Sequence, residues 1–190
     1  MVTEDKVVVP LHKPGFKEKF FFLASGVLVS VPFTVFIAGF SDNLCVLMPV
    51  LYAQICSVAI FAPFVEEFAK VYPIFYRHGE TEKSIFTLGL LVGLGFGLSE
   101  FAVYVFTFNA PIIARLPGIV FHASSTSITA YGIAKKKPIP FYLIAVALHF
   151  LNNFFALVGE LWFIVGPAAL ATAFLLAWRF YLRTSETIVK

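Results

Sequence analysis

Seven polar residues typical of hydrolytic sites stand inside long apolar segments of this 190-residue chain. A carboxylate at the centre of a bilayer costs about 2.5–3.5 kcal/mol on insertion scales, so such residues persist when they are paired, face a bundle interior or take part in chemistry. They are Glu66, Glu67 and Lys70 in one segment, Glu100 in the next, His122 in the third, and His149 and Asn153 in the fourth.

Counting residues from the basic ends of these segments puts the carboxylates and imidazoles in one central layer, which independent packing residues would not share. Imidazole nitrogens and carboxylate oxygens are ordinary Zn²⁺ ligands, and a catalytic zinc site keeps one position for water. A further carboxylate can act as general base, Asn153 can stabilise an oxyanion or position a histidine, and Lys70 can hold the glutamates ionised. The layer predicts a metal-binding or acid–base site inside the membrane.

Simpler interpretations explain single residues. Glu66 and Lys70 are spaced i, i+4 and can pair on one helix face, but that pair leaves Glu67 unexplained. Gly89, Gly93 and Gly97 repeat every four residues, which predicts a close helix–helix contact that turns Glu100 inward. His122 heads a stripe of hydroxyl side chains that can form a hydrogen-bonded packing face, namely Ser125, Thr126 and Thr129.

The composition indicates which kind of secondary structure must position these polar groups. The chain is 59% hydrophobic and 13% charged, whereas soluble domains carry roughly 25% charged residues. A soluble or disordered chain is therefore excluded. The apolar runs are continuous and not alternating, which excludes a β-barrel and predicts an all-α polytopic membrane protein.

About six transmembrane helices are expected. The second segment is longer than a bilayer requires, so it is tilted, kinked at a proline or split in two. It contains Cys45 and Cys56, which on one helix would be roughly 16 Å apart, too far for a disulfide, so both are interpreted as packing residues. The segments are approximately 20–40, 44–76, 84–108, 111–134, 138–158 and 161–182.

Charge predicts the orientation. With six spans, every basic residue except Lys70 and Arg115 falls on one side, and the opposite loops carry only Asp42 and Glu160. The positive-inside rule then puts both termini in the cytoplasm, with residues 1–19 as a tail, 20–183 as the membrane domain and 184–190 as a second tail. The first span has no cleavage site and is expected to stay as an anchor. The small net charge of +3 gives no nucleic-acid signal.

The ordered motifs resemble the PrsW-type intramembrane proteases, relatives of the CAAX prenyl endopeptidase and bacteriocin-immunity superfamily. Glu66-Glu67-x-x-Lys70, Phe96-x-x-x-Glu100, an isolated His122 and His149-x-x-x-Asn153 follow one another on successive helices. The CAAX branch has Arg one position beyond the place of Lys70 and His in place of Glu100. This chain therefore resembles the PrsW branch, which makes prenylated substrates less expected.

The resemblance implies a protease of the cell membrane that cleaves a membrane-anchored regulator such as an anti-sigma factor. It also implies that Glu66 and Glu67 are essential, that Glu100, His122 and His149 complete the site, and that Asn153 supports them. Glu66 is favoured as the general base, with His122, His149 and Glu100 as Zn²⁺ ligands. A metal-free route, in which Glu and His activate water directly, stays open.

Three other functions use the same residues. Intramembrane Glu and His chains also form proton relays in transporters, although no inverted repeat is visible here. Two histidines can ligate a haem, but the double glutamate would then have no role. A non-catalytic binding or immunity protein that retains the cluster is the fourth interpretation.

Overall fold

Six long helices account for most of the computed structural model, which describes residues 12–76, 81–159 and 161–189. Within these ranges no strand occurs beyond isolated bridging residues, and all helices except α4 are long and apolar enough to cross a bilayer. The chain is therefore an all-α membrane protein. The helices are α1 (Phe16–Cys45), α2 (Val50–Tyr76), α3 (Glu82–Thr107), α4 (Ile112–Ala134), α5 (Pro138–Val158) and α6 (Trp162–Tyr181).

The boundary between the first two helices differs from the prediction. Helix α1 continues to Cys45, and the next N–H, that of Val46, donates a hydrogen bond to the Asp42 carbonyl at 2.9 Å. A turn then reverses the chain, and α2 begins after Pro49. The prediction that a single helix runs from residue 44 is therefore wrong, because Pro49 and the turn before it end the first helix.

This turn also overturns the prediction for the two cysteines. Cys45 ends α1 and Cys56 lies in the second turn of α2, so their Cα atoms are 5.7 Å apart and their sulfurs form a disulfide. The expected separation of roughly 16 Å applies only to one straight helix. Once the chain reverses between them, the two residues face each other across the α1–α2 corner.

Prolines change the winding of α2 without dividing it. A π-helical stretch, Ile55–Phe61, immediately precedes the turn that holds Pro63, and a 3₁₀ turn, Tyr72–Tyr76, holds Pro73. Proline lacks an N–H and clashes with the carbonyl four residues earlier, and a wider or tighter turn relieves that clash locally. The long segment is thus one helix whose regular α-helical turns carry the acidic motif.

The glycine repeat of α3 packs on α4, as its spacing predicts. A Cβ atom at Gly93 would collide with the His122 carbonyl and with Thr126, and one at Gly97 would lie 2.9 Å from the Ile119 Cα. Gly89 meets Ala130 in the same way. The stripe therefore lets the two backbones approach and holds the face of α3 that bears Glu100 against α4.

Helix α4 forms the centre of the bundle, and several of its buried hydroxyl groups donate hydrogen bonds within the helix. The Thr126 hydroxyl donates to the His122 carbonyl at 2.8 Å, and Ser127 donates to Ser124 at 2.8 Å. Such bonds back to the preceding turn remove the cost of leaving these donors unpaired. Ile128 and Ala130 on this helix belong to the two apolar core clusters.

Three helix ends meet on one side of the bundle. Glu82, at the start of α3, accepts hydrogen bonds from Lys135 Nζ at 2.5 Å and from the Ser185 N–H at 3.0 Å. The start of α3, the end of α4 and the segment after α6 therefore share one end, where the described basic residues also concentrate. Four charges in the orientation argument lie outside the described residues, namely Lys6, Arg77, Glu160 and Lys190.

Candidate active site

The predicted polar layer forms a single cluster between α2, α3, α4 and α5. Helix α2 contributes Glu66, Glu67 and Lys70, α3 contributes Glu100, α4 contributes His122 and α5 contributes His149. Because contacts of hydrogen-bond or near hydrogen-bond length connect all six side chains, the structure brings together the residues that the spacing selected.

Lys70 and Glu67 form the most buried part of this cluster. Lys70 Nζ donates to Glu67 Oε1 at 2.6 Å, and both side chains are 0% exposed. The partner is thus the glutamate at i−3, although the i, i+4 spacing also offered Glu66. A buried charge persists only when it is paired and hydrogen-bonded, and these two groups supply that partner to each other.

Lys70 also sets the hydrogen positions on His122. Its Nζ lies 2.9 Å from His122 Nδ1, and because an ammonium group only donates, Nδ1 must accept. The imidazole hydrogen is therefore assigned to Nε2, which lies 2.5 Å from Glu100 Oε2. A hydrogen-bonded chain of Lys70, His122 and Glu100 results.

His149 has the opposite arrangement. Its Nδ1 lies 2.9 Å from Glu67 Oε1, so it donates there and keeps a lone pair on Nε2. That nitrogen faces Glu66 Oε2 at 3.7 Å. Metal-bound histidines are commonly held by a carboxylate on the other ring nitrogen, and Glu67 occupies that place for His149.

Glu66, His122 and His149 fit a divalent cation. Each offers one ligand atom, and these atoms lie within 4.8 Å of one another. Within the described part of the chain, the Glu66 Oε2 atom is buried without a hydrogen-bond partner, which costs free energy unless something absent here supplies one. His122 Nε2 would bind such a cation only after its hydrogen has left, and Glu100 Oε2 is the hydrogen-bonded acceptor for that proton.

Asn153 lies one turn beyond His149 on α5. Its Nδ2 donates to the Val58 carbonyl at 3.0 Å, and its Oδ1 accepts from Asn152 at 3.2 Å. Val58 belongs to the π-helical stretch of α2, where the wider turn leaves carbonyls available to side chains. Asn153 therefore fastens α5 to α2 about two helical turns before the glutamate pair.

The cluster opens on the side of Glu66 and Glu100. Their side chains are 15% and 32% exposed, whereas those of His122 and His149 are 4% exposed. The rings of Phe96 and Phe121 lie within 5.2–5.7 Å of the two imidazoles and close the other sides. Glu66 and Glu100 are therefore the most accessible groups of the cluster.

Sequence reasoning placed Ser125 in a packing stripe, but it belongs to the cluster. Its hydroxyl lies 3.2 Å from Glu67 Oε1 and 3.4 Å from Lys70 Nζ, and the residue is fully buried. The available signal was its position three residues after His122 on the same helix. The stacking of Arg115 on Tyr104, between α4 and α3, was not predicted either.

A bundle of membrane-length helices that encloses a carboxylate–imidazole cluster with a metal-ligand geometry defines a membrane-embedded hydrolytic enzyme. The family model of the PrsW family intramembrane metalloproteases matches residues 18–180, and the chain belongs to that family. The match extends over all six helices, beyond the motif region that carried the resemblance. No curated protein and no solved structure matches the chain. It is a membrane-embedded protease.

Proposed function

We propose that this protease hydrolyses a peptide bond in a membrane-anchored regulatory protein, of the kind represented by anti-sigma factors, and that it does so in the cluster between α2 and α5. The observation that carries the proposal is the grouping of Glu66, His122 and His149 beside a second, partly exposed carboxylate, Glu100. A protein substrate in the membrane follows from the family, and its regulatory class is the proposal.

Glu66, His122 and His149 are the residues that would hold a Zn²⁺ ion. When bound, a zinc ion lowers the pKa of a coordinated water and polarises the substrate carbonyl. Glu100 then takes the proton of the attacking water, because it is the most exposed of the three carboxylates and lies beside His122. Sequence reasoning favoured the reverse, with Glu66 as base and Glu100 as ligand, and the grouping of Glu66 with both imidazoles, all ligand atoms within 4.8 Å of one another, supports the exchange.

The remaining residues position this set. Glu67 holds His149 Nδ1 and thereby directs Nε2 towards Glu66. Lys70 donates to the same Glu67 oxygen at 2.6 Å and so helps to fix that carboxylate beside His149. Asn153 fixes α5 against α2 through Val58. Loss of these groups is expected to lower activity by misplacing the reacting atoms.

The test distinguishes the glutamate that binds zinc from the glutamate that acts as general base. The full chain is purified in detergent and incubated with a proteome-derived peptide library, whose cleavage sites are determined by mass spectrometry, and bound zinc is measured by elemental analysis. We expect Glu66→Gln to lose both zinc and cleavage, whereas Glu100→Gln loses cleavage and keeps zinc. Arg179→Gln, at an exposed site near the end of α6, is the matched surface control. Unchanged cleavage by Glu66→Gln would contradict the proposal.

Chelation distinguishes the two water-activating routes. Removal of zinc should abolish cleavage, and added Zn²⁺ should restore it. Full cleavage by metal-free protein would replace the zinc mechanism by direct activation of water by Glu and His, which the His122–Glu100 hydrogen bond would also support.

We further propose six spans with both termini in the cytoplasm of a bacterial-type cell membrane. The convergence of Lys135, Ser185 and Glu82 at one end of the bundle supports a common side for the basic segments. Protease digestion of intact spheroplasts carrying a C-terminal epitope tests it. The tag should survive until the membrane is permeabilised, and early loss of the tag would reverse the topology.

A further inference from the structure

Arg115 is a cation that the proposed reaction does not use. It lies in the first turn of α4. Within the described part of the chain, no carboxylate oxygen lies within 4.0 Å of its guanidinium, so it forms no ion pair there. The other described cations, apart from the buried Lys70, lie at the opposite end of the bundle. A charged residue inside a membrane segment marks a functional site unless its cost is offset elsewhere.

The guanidinium of Arg115 is held in place by Tyr104. Its Cζ lies 3.5 Å from the centre of the Tyr104 ring. Stacking on an aromatic face fixes the plane of a guanidinium while leaving its edge free for a carboxylate, which it binds with two parallel hydrogen bonds. Both residues are partly exposed, so this edge is reachable.

The Arg115–Tyr104 stack lies directly outward of the His122–Glu100 pair. Arg115 and His122 are seven residues apart on α4, two helical turns, and so share a face. Tyr104 follows Glu100 by four residues on α3, one further turn. Helices α3 and α4 thus share two successive contacts, His122 with Glu100 and Arg115 with Tyr104, and Glu100 is the most exposed carboxylate of the cluster.

We propose that Arg115, stacked on Tyr104, is a specificity subsite that binds an acidic side chain of the protein substrate. Two helical turns span about 10 Å, and an extended peptide covers that distance in about three residues. The acidic residue therefore lies about three positions from the bond that is cut. This inference rests on the proposed protease function and adds a sequence preference to it.

The experiment compares cleavage-site profiles of the full chain in lipid-free detergent on the peptide library. Wild type should enrich Asp or Glu at one position, two to four residues from the cut bond. Arg115→Gln should remove that enrichment and lower kcat/KM on a matching synthetic acidic peptide by about 10- to 100-fold, the range expected for one charged hydrogen-bonded pair. The effect should appear in KM, since Arg115 does not touch the reacting atoms.

Three further variants separate recognition from folding. Arg115→Glu should shift the preference at that position to Lys or Arg, which a merely destabilised protein would not do. Arg115→Lys should keep part of the acidic preference that Arg115→Gln loses, because lysine keeps the positive charge but cannot form two parallel hydrogen bonds to a carboxylate. Arg179→Gln, an equal change of charge at an exposed position, should leave the profile as in wild type.

Specific outcomes overturn the inference. Identical profiles for wild type, Arg115→Gln and Arg115→Glu would remove the subsite. An effect of Arg115→Gln that appears only when phosphatidylglycerol is added would assign Arg115 to a lipid phosphate. Absence of cleavage by wild type is a different result, because it contradicts the protease function itself.

Discussion

Lys70 offers the most direct test of how the cluster is held together. Its ammonium group is 0% exposed and lies 2.6 Å from Glu67 Oε1 and 2.9 Å from His122 Nδ1. Lys70→Met keeps the length of the side chain but removes the charge and leaves the Glu67 carboxylate buried without a cation. Breaking a buried ion pair in this way costs about 3–5 kcal/mol, against a total stability of roughly 5–15 kcal/mol.

The double variant should recover much of this loss. In Lys70→Met/Glu67→Gln no uncompensated charge remains, and replacing a buried pair by neutral groups is often tolerated. We therefore expect the sum of the stability losses of the two single variants to exceed the stability loss of the double variant by at least about 2 kcal/mol. The free energy of unfolding is measured by titration with sodium dodecyl sulfate in mixed micelles, with circular dichroism as the readout.

A half-exposed lysine is the matched control. Lys83 Nζ lies 4.0 Å from Glu186, and both side chains are about half exposed, so Lys83→Met should cost at most about 1 kcal/mol. Strictly additive losses for Lys70→Met and Glu67→Gln, or a loss for Lys70→Met no larger than that of Lys83→Met, would refute the buried pair.

Two other predictions concern the frame of the site. Gly93→Ala should destabilise the protein by about 1–3 kcal/mol, because its Cβ would collide with α4, whereas Gly39→Ala meets nothing within 4 Å and should be neutral or stabilising; equal effects in the same titration would contradict the α3–α4 contact. Cys45 and Cys56 should titrate as free thiols only after reduction of the denatured chain, and Cys56→Ser should cost about 3 kcal/mol by the loop-entropy estimate; two free thiols without reductant would show that the disulfide is absent.

The clustering of the polar side chains was largely predictable because membrane insertion makes polar residues expensive. Glu66, Glu100, His122 and His149 stand out in the sequence since few other ionisable groups interrupt the apolar segments, and helical spacing then orients them. The glycine repeat of α3 was readable for a similar reason, because small residues at four-residue intervals have a single recurrent use in helix packing.

Pairings between helices were not predictable. Spacing on α2 allowed Lys70 to face either glutamate, and only the positions of α4 and α5 select Glu67, by supplying Ser125 and His149 to the same oxygen. The disulfide was missed for a related reason, since hydropathy continues through the turn before Pro49 and does not reveal the reversal.

The sequence by itself determined the membrane class, the helical architecture and the residues of the polar layer, since these follow from hydropathy, periodicity and the cost of buried charge. The tertiary structure decided which partner each histidine Nδ1 has, and that Glu66 lies near both imidazoles. It also decided that Arg115 stacks on Tyr104. Those features depend on distances of a few ångströms between separate helices, which local sequence patterns do not encode.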